Sequence, residues 1–376
     1  MRILLTGTEG YIGCVLGPRL LEVGHDVVGL DTGYYRDGWL FSDPFSMPRV
    51  PRTLIKDLRH IDRGDLQGVD AVVHLAELSN DPLGENDPNV TFEINHEGSV
   101  RLARLAKDAG VRRFVYASSC SVYGVSDAEF VDERSPVRPQ TAYAKCKVLV
   151  EQDVGALADA DFCPTFLRNA TAFGASPRMR FDVVLNNLAG FAWTTKKIAM
   201  TSDGTPWRPI VHILDISQAV EAVLEAPEQD VRGEIFNVGD NAANYTVKEI
   251  ALAVQEVFPE SDVTFGAPSA DNRSYRVKFD KIQRALPSFR CRWHARDGAR
   301  QLRQVFERIE MSKETFDFRA FTRLRQLQYL IRTSQIDAHF FWNKPQSSST
   351  RLPSVSAKTE ADVGMPAEPI RARDDG

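Results

Sequence analysis

The chain has 376 residues, 43% of them hydrophobic and 26% charged, the balance of a globular protein long enough for one large domain or two fused lobes. A net charge of -5 gives no reason to expect nucleic acid or an anionic membrane as partner, and no stretch approaches the ~20 apolar residues of a bilayer span. The cysteines (Cys14, Cys120, Cys146, Cys163 and Cys291) are odd in number and scattered without a CxxC pair, which argues against a disulfide framework or a metal site and fits the reducing cytoplasm.

In chain order, residues 2–6 (RILLT) form a short apolar strand that runs into a Gly-rich turn. The turn follows so directly that MRILLTGTEGYIG reads as structure rather than as a targeting segment. A helix over 11–23 stops at Gly24, and HDVVGLD (25–31) is a second buried strand. Strand, turn, helix and strand within about thirty residues make a βαβ unit. The alternation continues with a strand ending at TLIKDLR (53–59), a strand at 69–75, a helix at 92–109 and a strand at 111–118. A helix at 141–158 and a strand at 163–168 complete the series. This pattern predicts an α/β fold, a Rossmann-type doubly wound parallel sheet, over residues 1–167. Beyond it the periodicity loosens. Residues 168–342 are expected to form a smaller, partly interleaved α/β substrate lobe, with helices at 246–257 and 297–309 and a terminal helix within 319–342. Residues 343–376, rich in Ser, Pro and charge, lack the apolar content of a core and predict a disordered tail.

Gly7, Gly10 and Gly13 form G-x-x-G-x-x-G between a strand and a helix. One glycine permits the tight turn, one lets a pyrophosphate reach the backbone, and one lets helix and strand pack closely. The helix N-terminus then meets phosphate with unpaired N–H groups. Asp31, ending the next strand, would accept hydrogen bonds from ribose hydroxyls and repel a 2′-phosphate, so NAD is the expected cofactor. Tyr11 and Ile12 in the same turn, and Leu75 and Ala76 at the end of the fourth strand, are expected beside it. Asp57, with Leu58, is expected near the adenine, although a surface Asp in a turn would look the same.

YASSCSVYG (116–124) ends a strand, and Tyr143 and Lys147 lie one turn apart on the following helix. A Lys ammonium beside a Tyr phenol favours the phenolate, which suits acid–base chemistry on an alcohol or ketone. A hydroxyl of the Ser cluster would bind the substrate oxygen.

These motifs resemble the extended short-chain dehydrogenases/reductases, the group of NAD-dependent nucleotide-sugar epimerases, dehydratases and reductases. The resemblance runs from Met1 to about Leu286 through TGTEGYIG, Asp31, HLA (74–76), Asn95, YASSCSVYG, YAKCK, RNATAFG, WRPIVHILDI and IFNVGD. It implies that Ser119 is the catalytic hydroxyl, Tyr143 the acid/base and Lys147 its partner and the holder of the nicotinamide ribose. It implies Asn95 as a structural amide near the active site, and Asn187 and Arg208 as contacts of a nucleotide-sugar diphosphate, with Arg273 or Arg276 as a second cation. A homodimer, paired through the helices at 92–109 and 141–158, is expected from the same source.

Departures from the family pattern narrow the reaction. The dehydratases carry an Asp-Glu pair where this chain has Cys120 and Ser121, and the decarboxylases a Glu where it has Ser121. Both reactions are therefore demoted, and the UDP-sugar 4-epimerases are the nearest pattern. Glu77 replaces a small residue, and Thr171 replaces an Asn, both where they would shape the sugar pocket. Ser79 opens the loop SNDPLGEND (79–87), which either reads the sugar or is a plain surface loop. Cys120 is either a packed small side chain or an acid/base for C3 or C5 epimerisation. The expected function is a C4 epimerase. A 4-ketoreductase or dehydrogenase and, less consistent with an intact Ser–Tyr–Lys set, a non-catalytic cofactor sensor are the alternatives.

Overall fold

The structure, a computed structural model, describes residues 1–42, 50–79, 88–126, 128–267 and 274–344. Strand β1 (Arg2–Thr6) buries Ile3, Leu4 and Leu5 completely, because both faces of a central parallel strand are covered by helices. Successive side chains take opposite faces. Ile3 and Leu5 pack with Leu16 and Leu20 of α1 (Gly13–Glu22), whereas Leu4 packs with Leu102 and Ala103 of α2 (Ser99–Asp108). The same alternation recurs in β4 (Ala71–His74), where Val73 faces the first group and Val72 the second.

With β2 (Asp26–Asp31), β3 (Arg52–Ile55), β5 (Arg113–Ser119), β6 (Cys163–Asn169) and, later, β10 (Ile235–Val238), these strands form one seven-stranded sheet ordered β10-β6-β5-β4-β1-β2-β3. Every pairing in it is parallel. The chain winds outward from β1 in one direction and from β4 in the other. The crevice above the β1–β4 boundary is where such sheets bind ligands. The expected helix at 92–109 is only partly regular: Ser99–Asp108 is α-helical, and Phe92–Gly98 takes a wider π-helical winding where the Asn95 amide is bonded to the backbone of Leu78.

The second half interleaves with the first, since β10 returns to the main sheet beside β6. Its own elements are a sheet β11-β9-β7 (β7 Thr171–Phe173, β9 Trp207–His212, β11 Asn244–Thr246) and a parallel pair, β8 (Lys197–Ala199) with β12 (Asp262–Thr264). Helix α3 (Ala142–Gly155) covers the main sheet with α2, and α4 (Val184–Thr195), α6 (Val247–Val257) and α7 (Ala295–Arg308) build the second core around Phe181, Phe306 and Phe316. Helix α5 (Ile213–Glu225) packs on α1 beneath the first sheet.

The end of the chain departs from expectation. Within 319–342 the main helix, α8, spans only Arg323–Arg332. The backbone then reverses through Ser334 at φ 54°, and Ile336 bridges Trp342 in antiparallel fashion. Leu327, Leu330, Ile336 and Phe340 bury against Tyr34, Leu78, Val90 and Ile94 of the first lobe rather than against the second. The mixed charged and apolar character of 319–342 did not reveal this reversal, because the apolar residues after 332 serve a hairpin-like return. No helix among the described residues is long and apolar enough to cross a membrane. Residues 345–376, which hold most of the expected tail, lie outside the described ones.

Candidate active site

Gly7 has φ +76°, and a Cβ there would lie 3.0 Å from the backbone of Leu75 and Ala76, so the turn after β1 presses against the end of β4. A Cβ on Gly13 would lie 2.0 Å from the Gly7 carbonyl oxygen, so only glycine lets α1 start this close to the turn. The result is a cradle of backbone at the N-terminus of α1 that opens into a large cavity lined by Gly7, Gly10, Tyr11, Ile12 and Gly13. Asp31 borders the same cavity; its carboxylate accepts from the N–H groups of Gly33 at 2.7 Å and Glu9 at 3.0 Å. Burial pushes its pKa up, and those N–H bonds and nearby Arg178 oppose the rise. Leu75, Ala76, Asp57 and Leu58 complete this end. Asp57 is held by Arg59 at 2.8 Å and caps the turn Leu58–His60, so its carboxylate enters the site already ion-paired. The Tyr11 side chain points out of the cradle, donating to Gly174 O at 2.7 Å and accepting from Asn186 at 2.9 Å. Cradle, helix terminus and carboxylate together fit a dinucleotide.

Ser119, Tyr143 and Lys147 line the same cavity. Ser119 ends β5, and its Oγ accepts from Ser121 N at 3.1 Å, which starts the turn Cys120–Tyr123. Thr141 caps α3 by accepting from Ala144 N at 3.2 Å, which sets Tyr143 and Lys147 on the face toward β5. The Lys147 Nζ lies 5.2 Å from the Tyr143 ring centroid and donates to Ala117 O.

Glu77 changes this picture. Its Oε2 lies 2.6 Å from Lys147 Nζ with both side chains almost fully buried, and its Oε1 accepts from Tyr116 OH at 2.5 Å. Lys147 thus acts on Tyr143 as one end of an ion pair, not as the isolated ammonium expected from YxxxK. The ammonium is held by the Ala117 carbonyl and by the charge of Glu77. Burial works against this ammonium, but Glu77 above all raises its pKa beyond the ordinary lysine value. Glu77 was expected only to reshape the sugar pocket.

The expected substrate residues divide. Ser79 and Thr171 line the cavity, and Ser79 meets Arg180 at 3.2 Å. Asn95 does not line it: its amide is fully buried and bonded both ways to Leu78, so its part is to hold the cavity wall. Cys120 is a correction as well. It is 1% exposed within the core, its Sγ faces Arg168 O at 3.2 Å, and burial pushes its thiol pKa well up. The first of its two readings, a packed side chain, is the one the geometry supports. Ser121 Oγ is likewise buried and not in the lining. The Asn187 amide donates to Phe181 O at 2.8 Å in the first turn of α4. Arg208 is buried in β9 and donates to Trp207 O at 3.0 Å, and Arg276 lies 4.8 Å over the Trp207 ring, so both meet at Trp207, outside the first cavity. Arg273 and residues 80–87 lie outside the described residues.

Several residues at the site were not singled out in the sequence, Asn169 entering only as part of RNATAFG. Asn169, at the end of β6, lines the cavity with a buried Oδ1 that has no hydrogen-bond partner. Arg178 is fully buried, binds the carbonyls of Tyr35, Arg36 and Gly38, and meets Glu9 of the glycine turn at 2.7 Å. Arg180, paired with Asp182 at 2.8 Å, and Arg323 of α8 also line the cavity. Among the described residues, no cluster of His, Cys, Asp or Glu is suited to hold a metal.

A family model for the NAD dependent epimerase/dehydratase family matches residues 3–239. The UDP-glucose 4-epimerase of Mycolicibacterium smegmatis is 32% identical over 270 residues, which span 68% of this chain and 82% of that protein. That of Corynebacterium glutamicum is 29% identical over 272 residues, 68% of this chain and 80% of its own. Among solved structures, MoeE5 in complex with UDP-glucose and NAD superposes with a TM-score of 0.70 at 25% identity, covering 83% of this chain and 100% of that one. The UDP-glucose 4-epimerase of Thermotoga maritima, with a TM-score of 0.71 at 20% identity over 83% of this chain and 100% of its own, shares the fold.

Proposed function

The chain belongs to the NAD-dependent epimerase/dehydratase family, and from that premise we propose that it is a nucleotide-sugar epimerase that works at the sugar C4 through a transient 4-keto sugar. The observation that carries this reading is the convergence of Ser119, Tyr143 and Lys147 on the cavity that holds the glycine cradle and Asp31. The relatives' names support the substrate class.

NAD, when bound, supplies a hydride acceptor that can return the hydride. The protein's own groups manage the proton. Tyr143 takes it from the C4 hydroxyl and gives it back after the ketone has turned. Ser119 hydrogen-bonds the reacting oxygen, and the Lys147–Glu77 pair keeps a fixed ammonium beside the phenol. Elimination of water would need a further acid and base. Cys120 and Ser121 supply neither, and Glu77 is committed to Lys147 and Tyr116. Arg208, Arg276 and Asn187 would hold the nucleotide end. We also propose a homodimer paired through α2 and α3, and work in the cytoplasm.

The test is incubation with UDP-, dTDP-, GDP-, ADP- and CDP-sugars in deuterated water, followed by NMR with and without added NAD(H). A C4 epimer without deuterium on the ring and without net NADH change is expected. Ring deuteration would point to C3 or C5 chemistry, and net NADH turnover to a ketoreductase.

A further inference from the structure

The charges around the cavity do not balance among themselves. Lys56 is held by Asp62 at 2.7 Å and Asp65 at 2.6 Å, Lys147 by Glu77, and Arg180 by Asp182. Glu9, the acid inside the glycine turn, is neutralised by Arg178. Arg323 is the exception. It lines the cavity yet is only 3% exposed. Its guanidinium reaches the carbonyls of Arg178 at 3.4 Å and Ala320 at 3.5 Å, both at the long limit of a hydrogen bond, and sits 4.0 Å over the Tyr35 ring. Among the described residues it has no carboxylate in ion-pair contact. The Asp182 carboxylate is shared: one oxygen accepts from the Arg323 backbone N–H at 3.1 Å and the other is ion-paired with Arg180 at 2.8 Å, so Arg323 feels its charge but makes no guanidinium–carboxylate contact with it. Burial lowers the Arg323 pKa to about 10, well below that of an ordinary arginine.

A buried guanidinium whose nearest carboxylate is already paired with another arginine is under-compensated, which is costly, and an anion in the cavity would complete it. The missing partner is an anion in the cavity. The glycine turn offers a diphosphate no cationic side chain, because its one charged side chain is the acid Glu9. We propose that Arg323 binds the diphosphate of the dinucleotide cofactor, so that α8 supplies a cation from outside the residues matched by the family model. Two features favour the cofactor over a sugar nucleotide as the source of the diphosphate. Arg323 shares its cavity with Gly10, Ile12 and Asp31, and it packs on Tyr35, four residues beyond Asp31. The docking of 336–342 on the first lobe holds α8 there: Gln326 donates to Tyr34 O at 2.9 Å and Trp342 to Thr32 O at 2.8 Å.

Calorimetric titration of cofactor-free protein with NAD, adenosine and UDP-glucose tests this. Arg323→Gln is expected to weaken NAD by about tenfold or more, with adenosine and UDP-glucose changed by less than about twofold. The thermal midpoint of the cofactor-free variant should equal or exceed that of the wild type, since an under-compensated buried charge has been removed. Arg323→Met, which keeps an apolar stem, carries the same expectations should the glutamine variant fail to fold. Wild-type NAD affinity would overturn the proposal. So would an equal loss of adenosine, which marks a purely structural role, or a loss of UDP-glucose alone, which assigns the cation to the other diphosphate. None of these outcomes depends on which sugar carbon reacts.

Discussion

At the level of single residues, local spacing carried the site and distant pairing did not. Tyr143 and Lys147 sit one helical turn apart, and the glycines span one turn of chain, so their geometry follows from the backbone alone. Glu77 meets Lys147 from 70 positions away, and Arg323 reaches the cavity from the far end of the sequence; no period or motif encodes such contacts. The neighbouring amides Asn186 and Asn187 show the same limit. The first is fully buried and bonds Tyr11 and Gly174, and only the direction of α4 in three dimensions separates their tasks. The Glu77–Lys147 pair yields a prediction. Lys147→Met leaves a buried carboxylate unpaired and should cost roughly 3–5 kcal/mol of stability. Adding Glu77→Gln should restore a substantial part of it. A urea-unfolding double-mutant cycle measures the coupling, and strictly additive losses would show that the pair is not coupled.

At the level of elements, the strands of the main sheet were legible because buried parallel strands read as short apolar runs between turn signals. Helix α1 was legible from its glycines, and the packing explains why. The Cβ of Gly13→Ala would meet the Gly7 carbonyl at 2.0 Å and its carbon at 2.8 Å, both rigid backbone. Helix α1 must then move away from the cradle, and NAD affinity should fall by about tenfold or more in calorimetry; an unchanged affinity would contradict the cradle geometry. The π-helical stretch Phe92–Gly98 and the reversal after α8 were not legible. Both depend on tertiary partners, the Leu78 backbone for one and the Tyr34–Ile94 surface for the other, and not on local propensity.

For the whole molecule, the two halves are tied together by interleaving and by the return of residues 333–342 onto the first lobe, which composition could not foretell. The core also contains two histidines. His74 lies between Thr6 and Ser99, each at 2.7 Å, and burial lowers its pKa to about 3. His212, stacked on Trp293 at 4.3 Å, is lowered by burial to about 4. Both are neutral when folded, while the unfolded chain binds their protons near pH 6.5. Their contribution is therefore complete above pH 6.5 and is lost as pH falls toward 4 and 3, by roughly 3 kcal/mol for His212 alone. Asp215 works the other way. Burial raises it to about 6, so its protonation favours the fold as pH falls below that value, but one carboxyl offsets only part of two histidines. Melting followed from pH 7 to 4.5 should show a steep loss that His212→Asn makes shallower, whereas a flat profile would place these rings in contact with water.

The proposed chemistry comes down to one event, the removal of a hydride from a sugar carbon and its return to the same carbon. UDP-glucose carrying deuterium at C4, incubated with the NAD-loaded protein in ordinary water, tests this most directly. The expected product is a C4 epimer that retains the deuterium at C4. Deuterium lost to solvent or to free NADH, or an epimer inverted at another carbon, would contradict it.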